Sequence, residues 1–327
     1  MYRRILVPLD GSKVAEQVLP YARSLAGSLK LPVELLRVVD LMFLTASSDA
    51  ARAHSLDNII EEGARGSKEY LDRVARSFTG MTVTCSVEKG SPADVIIEKG
   101  ASDVGTLIAM ATHGRSGIDR WLLGSVAEKV LRATANPLLL VRAKEEGKTD
   151  GEVTFKSIIV PLDGSKLAET VLPAAIELAK RLNLEIILLR AYALPAAVYA
   201  TADDFYIPDY EELKAEIREE ASAYLQAKVT ELRSNGLEKV SSVLLEGPAA
   251  EEIIDFARTA PDSLVAMCSH GRSGLKRWIL GSVSERVVRH SGNPVLVIRG
   301  QKDSQINKRK TSPARRDEAE SLSKSAI

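Results

Sequence analysis

The chain has 327 residues, with 44 basic and 44 acidic side chains that cancel, and 45% hydrophobic residues. That length suits two domains of ordinary size, and the balanced charge offers no broad basic face to a nucleic acid or an anionic membrane. Aromatics at 5% are too sparse for a base-stacking platform, and two cysteines, Cys85 and Cys268, are too few for a disulfide framework or a zinc cluster.

The opening Met1-Tyr2-Arg3-Arg4 leads into an apolar run far too short for a secretory leader or a membrane span, so a reducing, cytoplasmic setting is expected. Residues 3–8 (RRILVP) predict a buried strand closed by proline. Asp10-Gly11-Ser12 then reads as a turn, with Ser12 placed to cap a helix. Val14, Val18, Leu25 and Leu29 recur at helical spacing, which makes 13–29 one amphipathic helix with a kink at Pro20. Residues 33–39 form the second predicted strand, and the charged stretch around 55–79 the second helix. Strands over 83–88, 105–110 and 137–142 alternate with helices over about 91–101 and 125–134.

The pattern then starts again. VPLDGSK at 7–13 returns at 160–166, and HGRSGIDRWLLGSV at 113–126 returns as HGRSGLKRWILGSV at 270–283. Asp10 and Asp163 are 153 positions apart and Gly124 and Gly281 are 157 apart, so the second copy carries a net four extra residues between its motifs. Its strands fall near 156–161, 184–191, 240–246, 263–268 and 294–299. One period spans a whole domain, which is duplication and not a solenoid. The chain divides into domain one at 1–143, a polar linker at 144–154, domain two at 155–300 and a polar tail at 301–327. The tail has the composition of a disordered segment, with basic residues at 308–310 and 315–316. Buried strands separated by helices give an α/β class: two tandem doubly wound parallel five-stranded sheets.

In such sheets ligands bind beyond the carboxyl ends of the strands, where the strand order reverses. With order 3-2-1-4-5, Asp10 and the 111–125 loop flank that point, and Asp163 and the 268–282 loop do so in the second copy. Gly114 and Gly117 let backbone amides approach an anion, and Gly124-Ser125 opens a helix whose positive end faces the same spot. Arg115 and Arg120 add charge, and Gly271, Arg272, Gly274, Arg277, Gly281 and Ser282 repeat the set. Asp10 and Asp163 are suited to ribose hydroxyls or to a divalent metal. A plainer reading stands beside this one. Ser125…Glu128 and Ser282…Glu285 fit the S-x-x-E capping box, which needs no ligand. His113 and His270 have no carboxylate or nucleophile paired with them in sequence, and read as loop-structuring residues. Trp121 and Trp278 read as packing anchors, and the two cysteines as small buried side chains. Neither a Walker A sequence nor G-x-G-x-x-G is present, which disfavours P-loop hydrolysis and dinucleotide binding.

A strand followed by P-L-D-G-S, paired with H-G-x9-G-S before the last helix and strand, resembles the universal stress protein family, here twice. The resemblance implies binding of ATP, AMP or ADP, with or without Mg, in a stress-response regulator without dedicated catalysis. Its ATP-binding branch carries G-x-x-G-x9-G-S/T. Gly114 and Gly271 match the second glycine, Gly124-Ser125 and Gly281-Ser282 the last pair, while Ala111 and Cys268 replace the first glycine. Alanine adds one methyl, and cysteine more, where an amide should meet a phosphate. Asp10 and Asp163 match the family aspartate, and Val38 with its counterpart Ala191 the position whose backbone reads adenine. Pro8, His113, Arg115, Val126, Pro161, His270, Arg272 and Val283 complete the implied contact set. Family members pair through their last strand, so 137–142 and 294–299 are expected to join as an internal pseudo-dimer, with a homodimer as a further option. A scaffold that binds no nucleotide and a slow ATPase are the alternative readings.

Overall fold

The computed structural model describes residues 2–40, 56–112, 123–143, 149–194, 210–269 and 280–300. The first domain runs β1 (Arg4–Pro8), α1 (Lys13–Glu16), α2 (Leu19–Leu29), β2 (Val33–Val39), α3 (Leu56–Ala75), β3 (Val83–Lys89), α4 (Pro92–Ala101), β4 (Thr106–Ala111), α5 (Ser125–Ala133) and β5 (Leu138–Val141). The second runs β6 (Ser157–Pro161), a 3-10 turn (Ala168–Val171), α6 (Leu172–Leu182), β7 (Glu185–Tyr192), α7 (Tyr210–Ser234), β8 (Val240–Glu246), α8 (Ala249–Thr259), β9 (Ser263–Cys268), α9 (Ser282–His290) and β10 (Val295–Ile298).

The predicted order 3-2-1-4-5 is present in each half, and the halves fuse into one ten-stranded sheet, β3-β2-β1-β4-β5-β10-β9-β6-β7-β8. All neighbours are parallel except the central pair, where Leu138, Leu139 and Leu140 lie antiparallel to Val297, Leu296 and Val295. The two last strands therefore join as the resemblance implied, and no inner edge is left to aggregate. β4, β5 and β9 are buried throughout, which is why they read as continuous apolar runs, whereas the outer strands β3 and β8 are half-exposed.

Side chains alternate across the sheet into two apolar layers. One gathers Leu107, Ala109, Leu139 and Leu296 with α2, α3, α6 and α7. The other gathers Ile108, Met110, Leu138 and Leu140 with α4, α5, α8 and α9. At the junction, α2 packs against α6, and the Arg181 guanidinium donates to the Leu29 carbonyl. Two arginines fasten the other face reciprocally. Arg142, just past β5, donates to the His290 carbonyl at the end of α9 (3.2 Å), and Arg299, just past β10, donates to the Ala133 and Thr134 carbonyls at the end of α5 (3.2 and 2.9 Å).

One expected helix is two. The stretch 13–29 breaks after α1, where Gln17 and Val18 make tight i−3 bonds to Val14 and Ala15, and α2 restarts at Leu19 with Pro20 in its first turn. Proline has no N–H to continue the ladder, but the first turn of a helix needs none there. Pro173 begins α6 in the same way.

Candidate functional site

Each first strand delivers an aspartate to the carboxyl edge of the sheet. Asp10 Oδ1 accepts the Ser12 amide (2.9 Å) and hydroxyl (2.6 Å), while Ser12 Oγ caps α1 by accepting the Ala15 amide (3.1 Å). Asp163 Oδ1 accepts the Ser165 amide at 2.9 Å, and Ser165 Oγ accepts the Ala168 amide at 3.1 Å. The intervening Gly11 and Gly164 adopt φ of +82° and +87°, a conformation that L side chains resist. Asp-Gly-Ser is thus a turn that aims a carboxylate while starting a helix.

β4 is the parallel neighbour of β1, so its carboxyl end emerges beside this turn, at the point where the chain's winding direction reverses. Thr112 ties its amide to the Val141 carbonyl (2.9 Å) and its carbonyl to the Gly124 amide (2.8 Å), which draws the ends of the 113–123 segment together. Ser269 does the same between Ile298 and Gly281, both at 2.8 Å.

The capping box is not the device that starts α5 and α9. Gly124 (φ −60°, ψ 145°) and Gly281 (φ −62°, ψ 144°) are the N-caps, and they have no side chain to cap with. Ser125 and Ser282 are exposed first-turn residues. Glu128 and Glu285 turn forward to Arg132 and Arg289, each at 2.8 Å, instead of back to the helix start. With a glycine in the extended cap position, the amides of the first turn keep no partner inside the helix, and the positive end of its dipole faces the loop. Glutamate followed by arginine four residues on is the sequence signal that announced this.

The remaining expected residues are distributed as follows. Val38 and Ala191 are half-buried near the ends of β2 and β7, paired with Glu88 and Leu245. Pro8 and Pro161 close β1 and β6, and Val126 and Val283 sit half-buried in the first turns of α5 and α9. Ala111 and Cys268 are buried as the last residues of β4 and β9. The Cys268 thiol accepts the Thr170 hydroxyl at 3.3 Å and lies beside Gly300, so its extra bulk is taken up inside the domain. Cys85 is half-buried in β3. His113, Gly114, Arg115, Gly117, Arg120, Trp121, His270, Gly271, Arg272, Gly274, Arg277, Trp278 and the tail lie outside the described residues. Among the described residues, no group of three or more His, Cys, Asp or Glu is arranged for a metal ion, and no helix is long and apolar enough to cross a membrane.

One repeated feature escaped the sequence reading. Arg37 stands in β2, on the face of Val33 and Leu35, and lies over the Tyr70 ring of α3, 4.9 Å from guanidinium carbon to ring centroid. Tyr70 donates to Glu16 Oε1 at 3.1 Å. Arg190, Tyr224 and Glu169 repeat the arrangement at 5.1 and 2.9 Å. Burial and then Glu16 push the Tyr70 phenol well above its usual range, and burial and Glu169 do the same to Tyr224. Both phenols are therefore permanent donors. An arginine at the same place in the second strand of both copies was the signal that could have found it.

A duplicated, doubly wound α/β protein with a glycine-capped helix and an aspartate turn at each switch point is the class defined so far. The model of the universal stress protein family matches residues 1–142 and 154–299, and the chain belongs to that family. A universal stress protein of Methanocaldococcus jannaschii is 31% identical over 150 residues, covering 46% of this chain and 85% of that protein. Another, from Mycolicibacterium smegmatis, is 25% identical over 300 residues and covers 90% and 96% of the two chains. The crystal structure of a universal stress protein from Archaeoglobus fulgidus superposes with a TM-score of 0.66 at 22% identity, over 90% of this chain and 98% of that one, a likeness of fold.

Proposed function

We propose that each domain binds an adenine nucleotide at the carboxyl edge of its half-sheet, and that the protein is a nucleotide-dependent regulator without dedicated catalysis. The observation that carries this reading is the glycine cap of α5 and α9, which leaves the first-turn amides for an anion instead of spending them on a capping box. ATP, ADP or AMP fits that chemistry. The amides at Gly124, Ser125 and Val126, with the Ser125 hydroxyl, would take phosphate oxygens, and Gly281, Ser282 and Val283 would do so in the second domain. Gly114 and Gly271 with Arg115 and Arg272 would close over the phosphates, with His113 and His270 shaping the loops. Asp10 and Asp163 would hold ribose, and the strand ends at Pro8, Val38, Ala111, Pro161, Ala191 and Cys268 would border the base and sugar. The inward burial of the Cys268 thiol supports a working second site.

The test is calorimetric titration of the full chain with Mg-ATP and Mg-AMP, after denaturing a sample to quantify any co-purified nucleotide by ion exchange. Gly124→Asp places a carboxylate where a phosphate should sit, and loss of one charge-assisted contact corresponds to about 10- to 100-fold in affinity. The expected result is that this variant loses one of two binding events. Absence of both co-purified nucleotide and heat of binding in the parent protein refutes the reading.

A further inference from the structure

We propose that Arg37 and Arg190 are positioning residues for the ribose-reading aspartates, each held by a tyrosine–glutamate brace behind the Asp-Gly-Ser turn. The inference rests on the nucleotide reading above and assigns a determinant of sugar specificity within it.

The geometry begins at Gly11. A side chain there would stand 3.1 Å from the Arg37 guanidinium carbon and 3.2 Å from Nη2, so the guanidinium fills the space behind the turn that presents Asp10. Arg37 reaches this place because alternate residues of β2 share a face, and Val33 and Leu35 set that face toward α3. The guanidinium carbon lies over the Tyr70 ring, and the Tyr70 hydroxyl is anchored on Glu16, whose second oxygen takes Lys13 Nζ at 2.8 Å. Asp10 and Arg37 both bear electrostatically on the Tyr70 phenol, in opposite senses, as Asp163 and Arg190 do on Tyr224.

Duplication turns this from a curiosity into an argument. Arg37 and Arg190 are separated by 153 positions, like Asp10 and Asp163. Their surroundings have changed: Glu34 is answered by Ile187, and Val39 by Tyr192. Even the cation on the glutamate differs in origin, Lys13 from α1 in one domain and Lys228 from α7 in the other, where Nζ lies 3.1 Å from Glu169. The brace was kept while its supports were exchanged. Burying a guanidinium is costly when an apolar residue would fill the same space, and Arg190 is only 5% exposed, its Nη2 meeting Glu220 Oε1 of α7 at 3.1 Å as a partial offset. What a planar cation behind the turn offers is a fixed backing for a carboxylate that must accept hydroxyl protons beside phosphate charge.

The experiment measures ATP against 2′-deoxy-ATP and 3′-deoxy-ATP by calorimetry on the full chain in a Gly281→Asp background, so that the first domain reports. The parent should prefer ATP over at least one deoxy analogue by about 10-fold, the worth of a charge-assisted hydrogen bond. Arg37→Met should cost about 10-fold for ATP and leave the weaker deoxy analogue within about twofold, which collapses the discrimination. Tyr70→Phe, which keeps the ring and cuts the Glu16 bond, should fall between. Arg37→Lys keeps the charge without the fork and should restore only part of the preference. Equal weakening of ATP and both analogues by Arg37→Met, at an unchanged melting temperature, would make the arginine merely structural and overturn the proposal. If Arg37→Met does not fold, unchanged sugar preference in both Tyr70→Phe and Arg37→Lys overturns it instead. No nucleotide binding in the parent defeats the underlying reading as well, a result distinct from binding without sugar preference, which defeats this inference alone.

Discussion

Replacing Arg299 by methionine should loosen the join between the two domains by an amount the structure allows us to work out. Its Nη1 serves the last two carbonyls of α5, at 3.2 and 2.9 Å, across the domain boundary. Two carbonyls share one donor atom, so the pair counts as a single charge-assisted hydrogen bond, about 1.5–3 kcal/mol for a partly buried group. A cation at a helix carboxyl end adds about 0.3–1 kcal/mol. Methionine keeps most of the packing of the aliphatic stem, so the loss is about 2–4 kcal/mol. Arg142 donates to the His290 carbonyl at 3.2 Å, and losing that bond in Arg142→Met should cost about 1–2 kcal/mol on the same reasoning. In a cooperative unit spanning both domains, 2 kcal/mol lowers the melting temperature by about 3 °C. Differential scanning calorimetry and urea denaturation followed by circular dichroism measure both. The central strand pair remains in each variant, so the two losses should add within about 0.5 kcal/mol. Single variants that both melt within about 1 °C of the parent would show that the arginines ornament a join made by the strands alone.

Two further outcomes follow from buried polar groups. Ser157 and Ser263 share a buried hydroxyl–hydroxyl bond of 2.6 Å. Ser157→Ala should cost about 1–2 kcal/mol by orphaning Ser263, and the double alanine variant clearly less than the sum of the singles. Additive losses in urea titrations would disprove the pairing. His290, at the end of α9, has its pKa held below the ordinary 6.5, first by burial and then by Arg142, Arg286, Arg289 and Arg258. The unfolded chain therefore takes up that proton first as pH falls. Its stabilising contribution is complete above the unfolded pKa and drains away as pH drops through the folded one. His290→Gln should flatten the fall of the urea midpoint between about pH 7 and pH 5. An unchanged slope would refute the assignment.

The strands were legible because a buried parallel strand can hardly be written any other way. LLLV in β5 and LVAM in β9 have no polar face to show, and duplication supplied every reading twice. What misled was local chemistry with two solutions. The run 13–29 keeps helical periodicity through Pro20, yet proline is cheaper at the start of a second helix than within one. Ser-x-x-Glu matches a capping box, but a glycine one position earlier took the extended cap, and arginine four residues on drew the glutamate away.

The brace shows a different limit. Period-two alternation puts Arg37 on the face of Val33 and Leu35, but nothing in the sequence says which helix covers that face or that Tyr70 faces it there. Only the long-range packing of α3 on β2 brings arginine, tyrosine and glutamate together from positions 37, 70 and 16. A charge inside an apolar strand is ordinarily scored against the strand. Repeated at the same place in two copies whose neighbours have diverged, it marks a position where both domains draw a guanidinium out of solvent, and in the first domain that guanidinium lies directly behind the Asp-Gly-Ser turn.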